Sequence, residues 1–322
     1  MLGSERPTAT FSMKKDYNHG SNSPFAMRPT LMKHSELSES MRWQAWRMAQ
    51  LHVLQALKAG PADWLHLKGL GLAQQVYPNP FERKSGDVDI LVDRRELPNW
   101  IQWLERNGFE NQSPSTRPLT MNQVLFVHRA TGVPLDLHWR IAYPHLPAPE
   151  FPELWRTRTE IEINGTPVNV LNAGWGGFHL VVHSHQHLFE PRILRDLQHW
   201  ITHFDNEQEI LELAAAMGWS RVANTCFEII RLIDGRPSLG GQLPTSSSLE
   251  RALAEVILEE WESGQVFQDL STQSGIYQIL SVLLLDHNPL RRTLRYSLVG
   301  SHRVGTTIDR LRVALGRDPW EV

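Results

Sequence analysis

LHLKGLGLAQQVYPNPFERKSGDVDILVDRRELPNW, residues 65–100, carries two aspartates, Asp87 and Asp89, one residue apart beside the apolar positions Val88, Ile90, Leu91 and Val92. A β-strand turns residues i and i+2 to the same face, so both carboxylates leave one side of a strand whose remaining residues want burial. Like charges side by side in an apolar setting are costly, and one of the two carboxyls should be hard to ionise. A divalent cation removes that penalty. Hard cations such as Mg2+ take oxygen ligands and keep positions free for substrate phosphates. The bland alternative is a strand edge with two solvated acids, and the apolar residues around them argue against it.

Working outward, WLHLK (64–68) reads as a short strand that turns at Gly69 into a brief helix over 70–76. A glycine where a strand becomes a helix lets backbone approach a phosphate, and the free N–H groups of a helix start attract anions. Lys68 offers a point charge beside it. YPNPFERKSG (77–86) is a loop by its Pro, Asn and Gly content, and its Arg83 and Lys84 are placed to neutralise a triphosphate. VDILV is a strand, and ELPNWIQWLERNG (96–108) an amphipathic helix. NQVLFVHR (122–129) and PLDLHWRI (134–141) form a hairpin across ATGV; a second hairpin, EIEI-NG-TPVNVL, carries an Asn-Gly pair suited to a type I′ turn.

Asp136, polar within PLDLHW, is the obvious third carboxylate, and His138 shares its face. Three carboxylates can hold two ions roughly 3.5–4 Å apart, the arrangement for phosphoryl and nucleotidyl transfer. Asp136 also suits the base that takes a proton from an acceptor hydroxyl. For His138, a core histidine, a contact supporting the site from behind and a direct substrate contact stay open.

Upstream of the acidic strand, residues 35–59 read as a helix, with Trp43, Trp46, Leu51, Leu54 and Leu57 mostly at three- and four-residue spacings and Gly60-Pro61 as its end. After Leu171 the pattern becomes almost wholly helical, interrupted by PSLGGQLPTSSS (237–248), a linker by composition. His179, His183 and His187 recur every four residues and so form one helix stripe. That spacing can bind Zn2+, but no Glu follows the first histidine as in the zinc-protease motif. A polar seam against the sheet, or a share in an acceptor or nucleotide pocket with Arg195 and Asp196 one helix further on, are the better readings. The segment 291–317 is rich in arginine but has no lysine and interleaves apolar residues, the pattern of a helix with a solvated face rather than of an RNA-binding arm.

Composition bounds the rest. The chain has 322 residues, 41% hydrophobic and 21% charged, as in ordinary soluble proteins. A net charge of -3 provides no field to gather nucleic acid. One cysteine, Cys226, allows no internal disulfide framework and fits a reducing compartment. No stretch reaches the roughly 20 apolar residues of a membrane span, and the polar N-terminus lacks the centre of a signal peptide. A cytoplasmic protein without membrane contact is expected.

Taken together, strand–Gly–helix, loop, Asp-x-Asp and a later strand aspartate resemble the nucleotidyltransferase fold of the DNA polymerase beta superfamily. LKGLGLAQQVYPNPFERKSGDVDILV, LDLHWRI and FHLVVHSHQHLFEPRILRDL resemble more closely a bacterial subgroup known as nucleotidyltransferase family proteins, over about residues 50–204. Leu70 stands where the superfamily has Ser or Gly, and the loop before the first aspartate is long. The resemblance implies an α+β fold, with a nucleotidyltransferase-like mixed β-sheet, flanking helices and a C-terminal helical domain. The boundaries expected are a disordered leader over 1–30, the sheet domain over 31–172 and helices over 173–322. It implies Mg2+- or Mn2+-dependent transfer of a nucleoside monophosphate from an NTP, ATP first among them, to a small-molecule, peptide or protein acceptor. In that scheme Asp87, Asp89 and Asp136 are the catalytic metal ligands and Gly69 belongs to the phosphate turn. Two other readings of the same residues are a non-catalytic nucleotide- or partner-binding module and a metal-dependent phosphohydrolase using the histidine stripe.

Overall fold

The computed structural model describes residues 38–113, 122–142, 146–187, 189–234 and helical positions 250, 251, 254, 255, 257, 258 and 261. The expected leader, the 237–248 linker and the arginine-rich segment 291–317 lie outside the described residues. Seven strands form one mixed sheet: β1 (Trp64–His66), β2 (Val88–Val92), β3 (Phe109–Asn111), β4 (Gln123–His128), β5 (Pro134–His138), β6 (Thr159–Ile163) and β7 (Thr166–Val170). Their spatial order is β3-β4-β5-β2-β1-β7-β6. The pairs β2–β5 and β1–β7 run parallel and the others antiparallel. Helices flank this sheet, and helices follow it, so the α+β architecture expected from the sequence is the one observed.

Strand alternation divides the core in two. On one face Val88, Ile90 and Val92 of β2 and Leu135 and Leu137 of β5 pack with α1 (Glu39–Leu57) and α3 (Leu97–Arg106). Helix α1 starts at Ser38, whose side chain accepts from Met41 N. It ends just before Gly60, where an added Cβ would stand 2.1 Å from Cη2 of Trp100. On the other face Leu65 and Leu91 join α5 (Ala173–Gln186), α6 (Pro191–Phe204), α7 (Glu207–Ala216) and α8 (Ser220–Asp234) in a single apolar cluster. Asp89 and Asp136 belong to this second face, under the later helices. Asn164 and Gly165 both take positive φ, 49° and 75°, as a type I′ turn between β6 and β7 demands.

Two short elements had no clear sequence signal, β3 and α4 (Phe151–Arg156). Three residues at a sheet edge and a single turn-and-a-half begun by Pro152 are too short for periodicity to register.

Helix α5 comes unusually close to its neighbours because AGWGGF places glycines at the contacts. A Cβ at Gly176 would lie 2.3 Å from Cζ2 of Trp200, an indole fixed by its own bond from Nε1 to Ala173 O at 2.9 Å. Gly176→Ala should therefore lower stability by about 1–3 kcal/mol, the usual cost of overpacking, as read by urea denaturation.

Candidate active site

The acidic centre is set by strand register. Asp89 of β2 pairs directly with Asp136 of the parallel β5, and Leu91 with His138. Asp89, Asp136 and His138 each bring a potential ligand atom within 4.8 Å of one another. Asp89 is fully buried. Its Oδ1 receives Lys68 Nζ at 3.0 Å and pairs with His138 Nε2 at 3.1 Å, while Oδ2, also buried, has no hydrogen-bond partner. Burial alone would raise its pKa, but Lys68 and His138 outweigh burial and hold it far below the usual carboxylate range. Asp136 moves the other way, raised by burial and by the Asp89 charge, with Gln123 Nε2 donating to its Oδ2 at 2.9 Å. Asp87 is raised chiefly by Asp89 and then by burial. Three carboxylates that repel one another, with a buried oxygen left unpaired, make a donor set suited to a divalent cation.

Asp87 sits at the edge of this centre and lines a cavity of about 200 Å³, together with Lys68, Gly69, His183, His187 and Arg192. Gly69 makes the turn from β1 to α2 (Leu70–Val76) with φ 63° and ψ -125°, a conformation open to glycine and closed to β-branched residues. A Cβ there would stand 3.1 Å from Ser85 Oγ. Helix α1 fixes the approach to Asp87 from behind: buried Gln50 donates through Nε2 to Ser85 O at 3.1 Å and to Asp87 O at 2.9 Å. Trp46 Nε1 donates to Ser85 O at 3.0 Å and Arg47 Nη1 to Pro80 O at 3.1 Å.

The family described as uncharacterised nucleotidyltransferase matches residues 19–233, some two thirds of the chain. The chain belongs to that family. Among solved structures it is similar to the crystal structure of an antigenic nucleotidyltransferase-like protein from Paracoccidioides brasiliensis, at 18% identity and a TM-score of 0.38, over 61% of this chain and 90% of that one. No curated protein matches the chain.

Within this candidate site, the residues singled out in the sequence take different stations. Lys68, Gly69 and Asp87 meet at the cavity, and Asp89, Asp136 and His138 form the cluster beneath. Arg83 also reaches the cavity, but its donors are already engaged. Nε and Nη2 hold the two oxygens of Asp196 at 2.9 and 2.8 Å, and Nη1 donates to Gly69 O at 3.2 Å. Lys84 lines the rim, mostly exposed, in an ion pair with Glu39. Arg195 is exposed and outside the cavity. Arg192 takes its place, because it shares a helix face with Asp196 four residues on, whereas Arg195 is turned about 100° away. That spacing was the signal that could have found Arg192. For Gln50, Ser85 and Gln123 no sequence signal existed.

Of the histidine stripe, His183 and His187 line the cavity, with ring centroids 4.3 Å apart, and His179 stacks behind them, its ring 5.9 Å from that of His183. Burial first, then Lys68, lowers the pKa of His179 to about 3 and that of His183 well below the ordinary value, so both stay neutral. Among the described residues the one cluster able to hold a metal is Asp89, Asp136 and His138, and the stripe forms none.

Replacing Gly69 tests the turn. Gly69→Val imposes a side chain on a backbone conformation it rarely adopts, costing about 1–3 kcal/mol of stability, and it crowds the cavity at Ser85. We expect folded protein with NTP affinity lost, measured by calorimetry; normal affinity would make the turn purely structural.

Proposed function

We propose that the protein is a Mg2+- or Mn2+-dependent enzyme that moves a nucleoside monophosphate from an NTP, ATP first among candidates, to a hydroxyl or phosphate of a small-molecule or peptide acceptor, releasing pyrophosphate. The observation that carries this reading is the pairing of Asp89 with Asp136 across parallel strands, with Asp89 Oδ2 buried and unpartnered and Asp89 Oδ1 bound to Lys68, which lines the cavity. Asp87, Asp89 and Asp136, with His138 as a further donor, would hold the cation. When bound, it would offset the carboxylate charges and polarise the phosphates.

The chain's own residues supply the rest. Gly69 lets backbone come close to the triphosphate, and Lys68 and Arg192 supply positive charge beside it. An acceptor oxygen attacks the α-phosphorus, the bond from that phosphorus to the bridging oxygen breaks, and pyrophosphate leaves. Asp136, raised above the usual carboxylate range by burial and Asp89, is poised to take the acceptor's proton. His183 and His187, neutral and lining the same cavity, are suited to hydrogen-bond the acceptor or the nucleoside.

The test is to incubate the purified protein with each labelled NTP and Mg2+, with and without cell extract. A labelled product accompanied by pyrophosphate supports the proposal. Intact NTP under every condition would leave a non-catalytic binding module of the same fold.

A further inference from the structure

We propose that Asp196 of α6 is a positioning residue of the nucleotide site, acting through Arg83 on the carbonyl of Gly69; the inference rests on the nucleotidyl-transfer reading and names a role within it. Arg83 and Asp196 are 113 residues apart in sequence, and their side chains are only 9% and 2% exposed. The pair is a two-pronged fork, in which both Asp196 oxygens accept from one guanidinium. Tyr77 Oη donates to Asp196 Oδ1 at 2.6 Å, which fixes the carboxylate from a third side. What makes this more than a buried ion pair is the remaining arginine bond: Nη1 reaches Gly69 O at 3.2 Å, an oxygen that also accepts from Ala73 N at 3.1 Å. The strained turn at Gly69 is thus tied to a helix that begins more than a hundred residues later. On its strand side Leu67 N still donates to Asp89 O at 3.1 Å, and on its other side α2 begins at Leu70, so Arg83 ties the turn to the later helix in addition to these local anchors.

Charge gives the inference a sign. A bare carboxylate lining a triphosphate cavity would repel its ligand. Arg83 cancels Asp196, so the pair adds no net attraction, and its contribution is to geometry. Electrostatics alone predicts that Asp196→Asn, with one negative charge fewer, binds NTP more tightly. Loss of the latch predicts the reverse, because misplacement by about 1 Å at such a site costs on the order of a hundredfold.

The experiment titrates MgATP into the full chain as wild type, Asp196→Asn and Arg83→Lys, and follows hydrogen exchange over 66–76 in each. Arg83→Lys keeps the charge pair, and so guards against simple misfolding, but one ammonium cannot serve Asp196 as a fork and Gly69 O together. Expected is affinity at least about tenfold weaker in both variants, the usual scale for a supporting partner, with faster exchange at the Gly69 turn. Asp196→Asn that binds MgATP as well as or better than wild type overturns the proposal. So does unchanged exchange over 66–76 in both variants, whatever the nucleotide does. Wild-type protein that binds no NTP, by contrast, overturns the functional reading itself.

Discussion

Asp136→Asn protein is expected to bind NTP with nearly wild-type affinity and to release pyrophosphate at least about a hundredfold more slowly, the scale of a lost acid–base group. Asp136 is held by Gln123, whereas Lys68 makes its ion pair with Asp89, so the Lys68 contact to nucleotide should survive the loss of Asp136. Its contribution belongs to the step in which charge develops on the acceptor oxygen, and such contributions lower turnover without weakening binding. Asparagine preserves size and can still meet Gln123, which makes misfolding a poor explanation of the loss. The measurement is steady-state pyrophosphate release with the acceptor, or the extract that contains it, together with an NTP titration. An Asp136→Asn enzyme that works at the wild-type rate would remove Asp136 from the mechanism.

Asp89→Asn should be more damaging and in a different way. Asp89 pairs with both Lys68 Nζ and His138 Nε2, while Asp87 and Asp136 act on Lys68 only as neighbouring charges. Removing one partner of a fully buried pair costs about 3–5 kcal/mol, and the loss here should approach the lower end, since Lys68 lines the cavity and keeps Asp87 and Asp136 nearby. Stability measured by urea denaturation in metal-free buffer should fall on that scale. Lys68→Met combined with Asp89→Asn should recover much of it, because the stranded ammonium is gone. NTP turnover should stay absent in both proteins. Recovery of stability without recovery of activity separates the two duties of Asp89, bracing the sheet and forming the acidic centre.

Much of this arrangement is legible in the sequence, and the legible parts share a cause. Asp87, Asp89 and Asp136 announce themselves because an acid inside an apolar strand needs a reason, and period two says which face it takes. The Asn164-Gly165 turn and the strand-to-helix glycine at 69 were readable because positive φ restricts residue choice so severely. What sequence could not give was partnership across long separations. Arg83, in a loop before two aspartates, looks like a free cation for phosphate; its engagement with Asp196 depends on where α6 lands. Gln50 and Gln123 are ordinary polar residues whose roles come entirely from the strands and loops they meet. Arg195 adjoins Asp196 in sequence, but adjacency on a helix separates side chains rather than joining them, and it is Arg192, one turn from Asp196, that reaches the cavity. The length of the loop over 77–86, puzzling in isolation, has a physical reason in the bonds that α1 and α6 make to it from two sides.

Calorimetric titration of ATP into the wild-type protein and into the Asp87→Asn/Asp89→Asn double variant, with and without Mg2+, tests the central claim most directly. The account predicts that wild-type protein binds ATP weakly without the cation and much more tightly with it, and that the double variant loses this gain. Equal ATP affinity with and without Mg2+, unchanged in the double variant, would contradict it.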